Sequence, residues 1–233
     1  MTARALLAAI AAALLIGAAP ATSELDSQYV LQRYALALVD TPVPKLLVFS
    51  YTVSQAGLGN IEQRHELYRS GLSVRDETLA VDGVTLHRKA VRFEQREDRY
   101  AIDRIAPRGD AYQMIFLHTV RDGSHIDYVY DTTPILRQGP GMWVEQVTID
   151  GVKFLPKRVR FHSEGDNAKG KGTIEYAAFG KYWLPVVATV DATVNGKPAR
   201  ERIAWSDYRF PPSLPSSTFL APQPLPLASI PPI

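Results

Sequence analysis

The chain of 233 residues contains no cysteine, which removes disulfide staples, a thiol nucleophile and thiolate metal ligands together. A G-x-S-x-G elbow, an H-E-x-x-H helix and a glycine-rich phosphate loop between a strand and a helix are missing as well. The hydrolase, zincin and nucleotide-binding classes that carry those motifs therefore find no support. Charge of one sign is scarce: 26 basic residues stand against 24 acidic ones, and the formal net charge is +2. The densest basic run, Lys157 to Arg160, is short, so nucleic acid is not an expected partner. Long apolar runs are absent beyond the first residues of the chain, which excludes a later transmembrane helix.

Those first residues form a pattern of their own. Arg4 precedes an apolar run from Ala5 to Ala19, and Ala19-Pro20-Ala21 fits a small-residue cleavage site, the composition of a secretory signal peptide. The run is shorter than the roughly 20 residues a spanning helix needs. The expectation is a signal peptide over 1–21 and a periplasmic product with no lipid anchor, because no cysteine follows the run.

What fills the rest is alternation. Asp82-Gly83, Asp122-Gly123, Asp150-Gly151 and Asn195-Gly196 read as two-residue hairpin turns, because both central residues of a type I′ turn need positive φ. Counting outward from Asn195-Gly196 pairs Val194 with Lys197, Ala192 with Ala199, Val190 with Glu201, Ala188 with Ile203 and Val186 with Trp205. The same count sets Ile149 against Val152, Val147 against Phe154, Val81 against Val84 and Leu79 against Leu86. One apolar face and one polar face recur. Strands are expected from Lys45 and over 60–69, 72–81, 84–95, 99–106, 112–121, 124–131, 143–149, 152–162, 171–178, 184–194 and 199–209. One amphipathic helix is expected over 23–40, stopped by the prolines at 42 and 44. The stretch from Asp131 to Gly141 reads as a connection or a short lid, and Ser163 to Gly170 as a polar loop. Eight prolines fall between Pro211 and Pro232, so 211–233 is an extended tail outside the sheet.

Candidate chemistry is thin. His118, His125 and Asp127 share one face of a hairpin and could hold zinc, but a solvated polar face accounts for them more simply, and no metal, cofactor or catalytic group is expected. Glu201 is a charge on the apolar face beside the Asn195-Gly196 tip. It is either a buried carboxylate awaiting a polar group or a sign that the face is leaving the core. The strongest signal is the aromatic inner face. In a tightly closed small barrel these residues fill the interior; in a half-open one they line a pocket for an apolar ligand.

The helix, the first strand L-L-V-F-S-Y-T-V, the long meander and the closing R-I-A-W-S-D-Y-R-F followed by L-P-x-x-x-F (Asp207, Tyr208, Leu214, Pro215 and Phe219) resemble the outer-membrane lipoprotein carrier, or LolA-like, superfamily. The resemblance implies a mainly β fold: a half-open antiparallel barrel of about eleven strands in a meander over 22–210, with the N-terminal helix packed on it. It implies a non-catalytic carrier of lipid or lipoprotein acyl chains. The chain is expected to act as a monomer, and Leu47, Phe49, Tyr51, Tyr128, Tyr130, Phe161 and Trp205 of the inner face are the expected cavity lining. It also admits an envelope sensor of the RseB-like kind that works through a protein partner.

Overall fold

The computed structural model describes residues 24–57, 59–136 and 140–220. The expected signal peptide, part of the stretch from Asp131 to Gly141 and residues 221–233 of the tail lie wholly or partly outside them. The helix α1 spans Ser27–Asp40. Asp26 starts it by accepting from the backbone N–H groups of Gln28 and Tyr29, which satisfies two of the donors a helix start leaves open. The apolar stripe turns Val30 and Tyr34, one helical turn apart, into the core.

Eleven strands follow: β1 Leu46–Ala56, β2 Ile61–Ser70, β3 Ser73–Val81, β4 Val84–Gln95, β5 Tyr112–Asp122, β6 His125–Pro134, β7 Gly141–Ile149, β8 Pro156–Glu164, β9 Ala168–Phe179, β10 Tyr182–Val194 and β11 Lys197–Arg209. All belong to one antiparallel sheet in the order β4-β3-β2-β1-β11-β10-β9-β8-β7-β6-β5. The last strand thus pairs with the first in the middle of the sheet. The edges β4 and β5 stay unpaired with each other, so the sheet curves without closing. This is the half-open barrel that the resemblance implies, one of the two alternatives the inner face left open.

Because β4 and β5 are opposite edges, residues 96–111 must cross from one to the other. The strand expected over 99–106 is part of this crossover instead, and contains the single-turn helix α2, Ile102–Ile105. Tyr100, Ile102 and Ala106 alternate, but Ile102 and Ile105 are also a helical pair, and over so short a run the two periods cannot be told apart. All four side chains are buried.

The Asn195-Gly196 count holds from Val194–Lys197 to Ala188–Ile203 and ends with Val187 opposite Ala204. Asn195 and Gly196 both have positive φ, at 50° and 78°, as the type I′ turn requires. The expected Val186–Trp205 pair does not form; Trp205 pairs with Tyr51 of β1. Val81 meets Val84 as counted, but Leu86 to Lys89 bulge opposite Leu79, so Leu79 and Leu86 do not pair. At Asp122 the ladder pairs Asp122 with His125, which centres the turn one residue later than expected, on Gly123-Ser124. The Asp150-Gly151 count fails outright, because Ile149 pairs with Pro156 and Val147 with Val159. Here Asp150 closes a wider loop: its carboxylate accepts from Val152 N and Lys153 N, and Phe154 takes a positive φ of 56°. Gly151 serves another purpose. A Cβ on it would stand 1.9 Å from the carbonyl oxygen of Ile126. The expected polar loop over 163–170 is shorter than read, since β8 runs to Glu164 and β9 begins at Ala168.

Register builds the core in rows across the concave face. Tyr130, Val147, Val159, Ile174, Ala188 and Ile203 are successive partners on six strands, and none is more than 7% exposed. Burying each of the valine and isoleucine side chains of this row contributes about 1.5–3 kcal/mol. The tail folds back on the outside of the sheet, where Thr218 is buried and its carbonyl accepts from Arg75 Nη1.

Candidate ligand-binding site

Three tyrosines fasten the helix and the crossover to the concave face. Tyr128 Oη accepts from Leu25 N at 2.7 Å, Tyr130 Oη donates to Ser27 O at 2.8 Å, and Tyr34 Oη donates to Pro107 O at 3.0 Å. Burial pushes the Tyr34 and Tyr130 phenols well above the ordinary tyrosine range, so they stay neutral donors. Phe161 fills the space over Gly172, where a Cβ would stand 2.3 Å from its ring. Tyr128, Tyr130 and Phe161 are therefore packed in one core with Val30 and Tyr34 of α1.

The other half of the concave face differs. Leu47 and Phe49 pack with Leu67, Val74 and Leu184 in a second core, and Tyr51 and Trp205 touch both cores. Tyr51 stacks on His65 with centroids 4.6 Å apart and donates to Asp76 Oδ2 at 2.5 Å, while His65 Nδ1 donates to Asp76 Oδ1 at 2.9 Å. Burial alone would raise the Asp76 pKa. Hydrogen bonds from His65 and Tyr51, with the His65 and Arg96 charges, outweigh it and hold the carboxyl below its ordinary value. Trp205 meets Tyr100 of the crossover edge-on at 5.4 Å.

Between these parts lie distinct spaces. A groove of about 500 Å³ runs between α1 and the edge strand β5, lined by Leu31, Ala35, Leu38, Tyr112 and Met114, with the Arg108–Asp110 ion pair, 3.6 Å, among its residues. A pocket of about 160 Å³ sits under the crossover, with Phe49, Tyr51 and Trp205 as its floor and Arg69, Arg92 and Arg96 around it. A gap of about 70 Å³ next to it holds Leu47. The seven residues expected to line one cavity are thus distributed: three floor the small pocket, Leu47 lines the gap beside it, and Tyr128, Tyr130 and Phe161 lie in the core with α1. The groove residues of β5 went unnoticed in the sequence because nothing local says that β5 is an edge. Leu31 and Leu38 fall within the amphipathic helix expected over 23–40, but the sequence alone assigns them no surface to cover.

His118 and His125 are exposed, whereas Asp127 is buried and paired with Lys157 Nζ at 2.7 Å. Asp127 is a buried carboxylate paired with a partly exposed lysine rather than part of a solvated face, and no group of three or more metal-ligating side chains occurs among the described residues. Glu201 is half-buried, accepts from Gln55 Nε2 at 2.8 Å and lies 3.9 Å from Arg99.

No family model matches the chain, and no curated protein matches it in sequence. Solved structures are similar to it. One is a LolA superfamily protein from Nitrosomonas europaea, 12% identical over 85% of this chain and 99% of that one, TM-score 0.44. Another, from Vibrio parahaemolyticus, is described as an outer membrane lipoprotein-sorting protein domain, at 12% identity, 84% and 97% coverage and TM-score 0.46. A DUF1329 family protein from Desulfovibrio piger is 10% identical over 82% and 96%, TM-score 0.43. The likeness is one of fold. Among the described residues no helix is long and apolar enough to cross a membrane.

Proposed function

We propose that this chain is an exported periplasmic binder or carrier of lipid or lipoprotein acyl chains, and that the acyl chain lies in the groove between α1 and β5. The observation that carries this reading is the groove itself: about 500 Å³ of largely apolar space at the open side of the half-barrel, within the range of about 300–1,000 Å³ that ligand sites occupy. Each methylene taken from water there contributes about 0.8 kcal/mol. The helix covers this space: Tyr128 and Tyr130 hold its start by one hydrogen bond each, and Val30 and Tyr34 are buried beneath it. If α1 lifts, Tyr128, Tyr130 and Phe161 join the lining, and the cavity grows toward the full set read from the sequence.

The test is binding of an environment-sensitive fluorescent fatty acid to the purified protein, with native mass spectrometry for any co-purified lipid. Met114→Glu and Leu38→Glu, both on the groove, are expected to weaken uptake at least about tenfold, the loss of some two buried methylenes. Uptake unchanged in both variants would sink the groove assignment. A bare chain that takes up no fatty acid would sink the acyl-binding reading and turn attention to a protein partner.

A further inference from the structure

The small pocket under the crossover contains a group the fold leaves unsatisfied. Arg69, on β2, gives one hydrogen bond from Nη1 to the Arg96 carbonyl at 3.0 Å. Its Nε is buried without any acceptor, and Arg69 makes no ion pair among the described residues. Its neighbours are placed differently. Glu94 takes Arg92 Nε on one oxygen and Arg96 Nε on the other, each at 2.8 Å. The acids that line the pocket are already engaged: Glu97 pairs with Arg104, Asp98 accepts from Tyr100 N, and Glu201 accepts from Gln55. Asp98 is near enough to favour the charge on Arg69, against the burial that lowers its pKa.

A half-buried guanidinium whose Nε has no acceptor is costly unless an anion meets it. The walls decide which anion. Arg69, Arg92 and Arg96 line the same space of about 160 Å³, and guanidinium forks suit planar or tetrahedral oxyanions. Several forks around one site call for more acceptor oxygens than the two of a carboxylate. The floor of Phe49, Tyr51 and Trp205 offers apolar surface beside them.

We propose that this pocket binds a phosphoryl oxyanion, with Arg69 as its principal ligand and Arg92 and Arg96 assisting. The phosphoryl group comes either from a lipid head, whose adjoining carbons rest on the aromatic floor, or from free phosphate. The site shares no lining residue with the acyl groove, so it stands or falls separately from the acyl-binding reading.

The test is titration of the purified protein with inorganic phosphate, hexyl phosphate and hexanol, followed by Trp fluorescence and calorimetry. Saturable binding of either phosphate at or below about 1 mM, a free energy of about −4 kcal/mol, is expected, with hexanol silent. Hexyl phosphate at least about tenfold tighter than inorganic phosphate would support the site with a lipid head as the source; equal affinities would support it with free phosphate. Arg69→Gln should weaken binding at least about tenfold, with Arg202→Gln on the outer face as the unaffected control. Should Arg69→Gln fail to fold, the double variant Arg92→Gln with Arg96→Gln takes its place with the same expectation. No binding of either phosphate, or full binding by the folded pocket variant, would overturn the proposal.

Discussion

Tyr51 reaches across β2 to place its hydroxyl 2.5 Å from Asp76 Oδ2 on β3. An aromatic side chain on the apolar face is thereby a polar anchor, and what it offers a ligand is its ring alone. Tyr51→Phe keeps the ring and removes the donor. It is expected to lower stability by about 1–2 kcal/mol in urea unfolding, with the fluorescence of Trp205 unchanged in the native state.

The same bond sets an acid limit. The folded-state pKa of Asp76 is lowered, so its contribution is fully present above the unfolded carboxylate value of about 3.9 and is lost as pH falls through the folded value. Glu66 shifts in the same direction: burial would raise it, but Tyr68 and Arg209 outweigh that. Wild-type unfolding midpoints should fall steeply below about pH 4. Asp76→Asn should be less stable at pH 7 and lose less on acidification; a parallel acid limb in the variant would contradict this.

The start of α1 hangs on two phenols. The double change Tyr128→Phe and Tyr130→Phe removes the bonds to Leu25 N and Ser27 O at a cost of about 1 kcal/mol each. Amide exchange should speed up over residues 25–32 while β8 to β10 keep their protection. Uniform loss of protection would show that the helix and sheet open together.

Gly151→Ala is expected to be among the more damaging single changes, by about 2–4 kcal/mol. The new Cβ would meet the Ile126 carbonyl at 1.9 Å and Tyr128 at 3.1 Å, and backbone cannot step aside as a side chain can. Gly196→Ala, whose Cβ would meet nothing within 4 Å, should cost less, through its positive φ alone. Thermal melts of the two variants compare a clash with a torsional penalty directly.

Much of the sheet could be read locally because a two-residue turn and a period of two are short-range signals. Asn195-Gly196 determined its hairpin as far as Ala188–Ile203, since each residue needed only its turn as reference. The count broke wherever a residue left the ladder: at the Leu86 to Lys89 bulge, at the Asp150 loop, and near Pro185, which has no N–H to give. For the candidate site, Phe49, Tyr51 and Trp205 were legible as an inner face. The arginines around them were not, because Arg69, Arg92 and Arg96 sit on different elements and meet only across the curved sheet.

By itself, then, the sequence determined most of the strands, their alternation of apolar and polar positions, the amphipathic helix and the absence of the common catalytic motifs, all carried by residues a few positions apart. The tertiary structure alone decided that β11 pairs with β1, which made β4 and β5 free edges and forced the crossover over the concave face. That ordering is a competition between pairings far apart in the chain, settled by how rows such as Tyr130 to Ile203 bury one another. It is also what separates the interior into a helix-covered core, a groove beside the β5 edge and an arginine-lined pocket, a division no local pattern encodes.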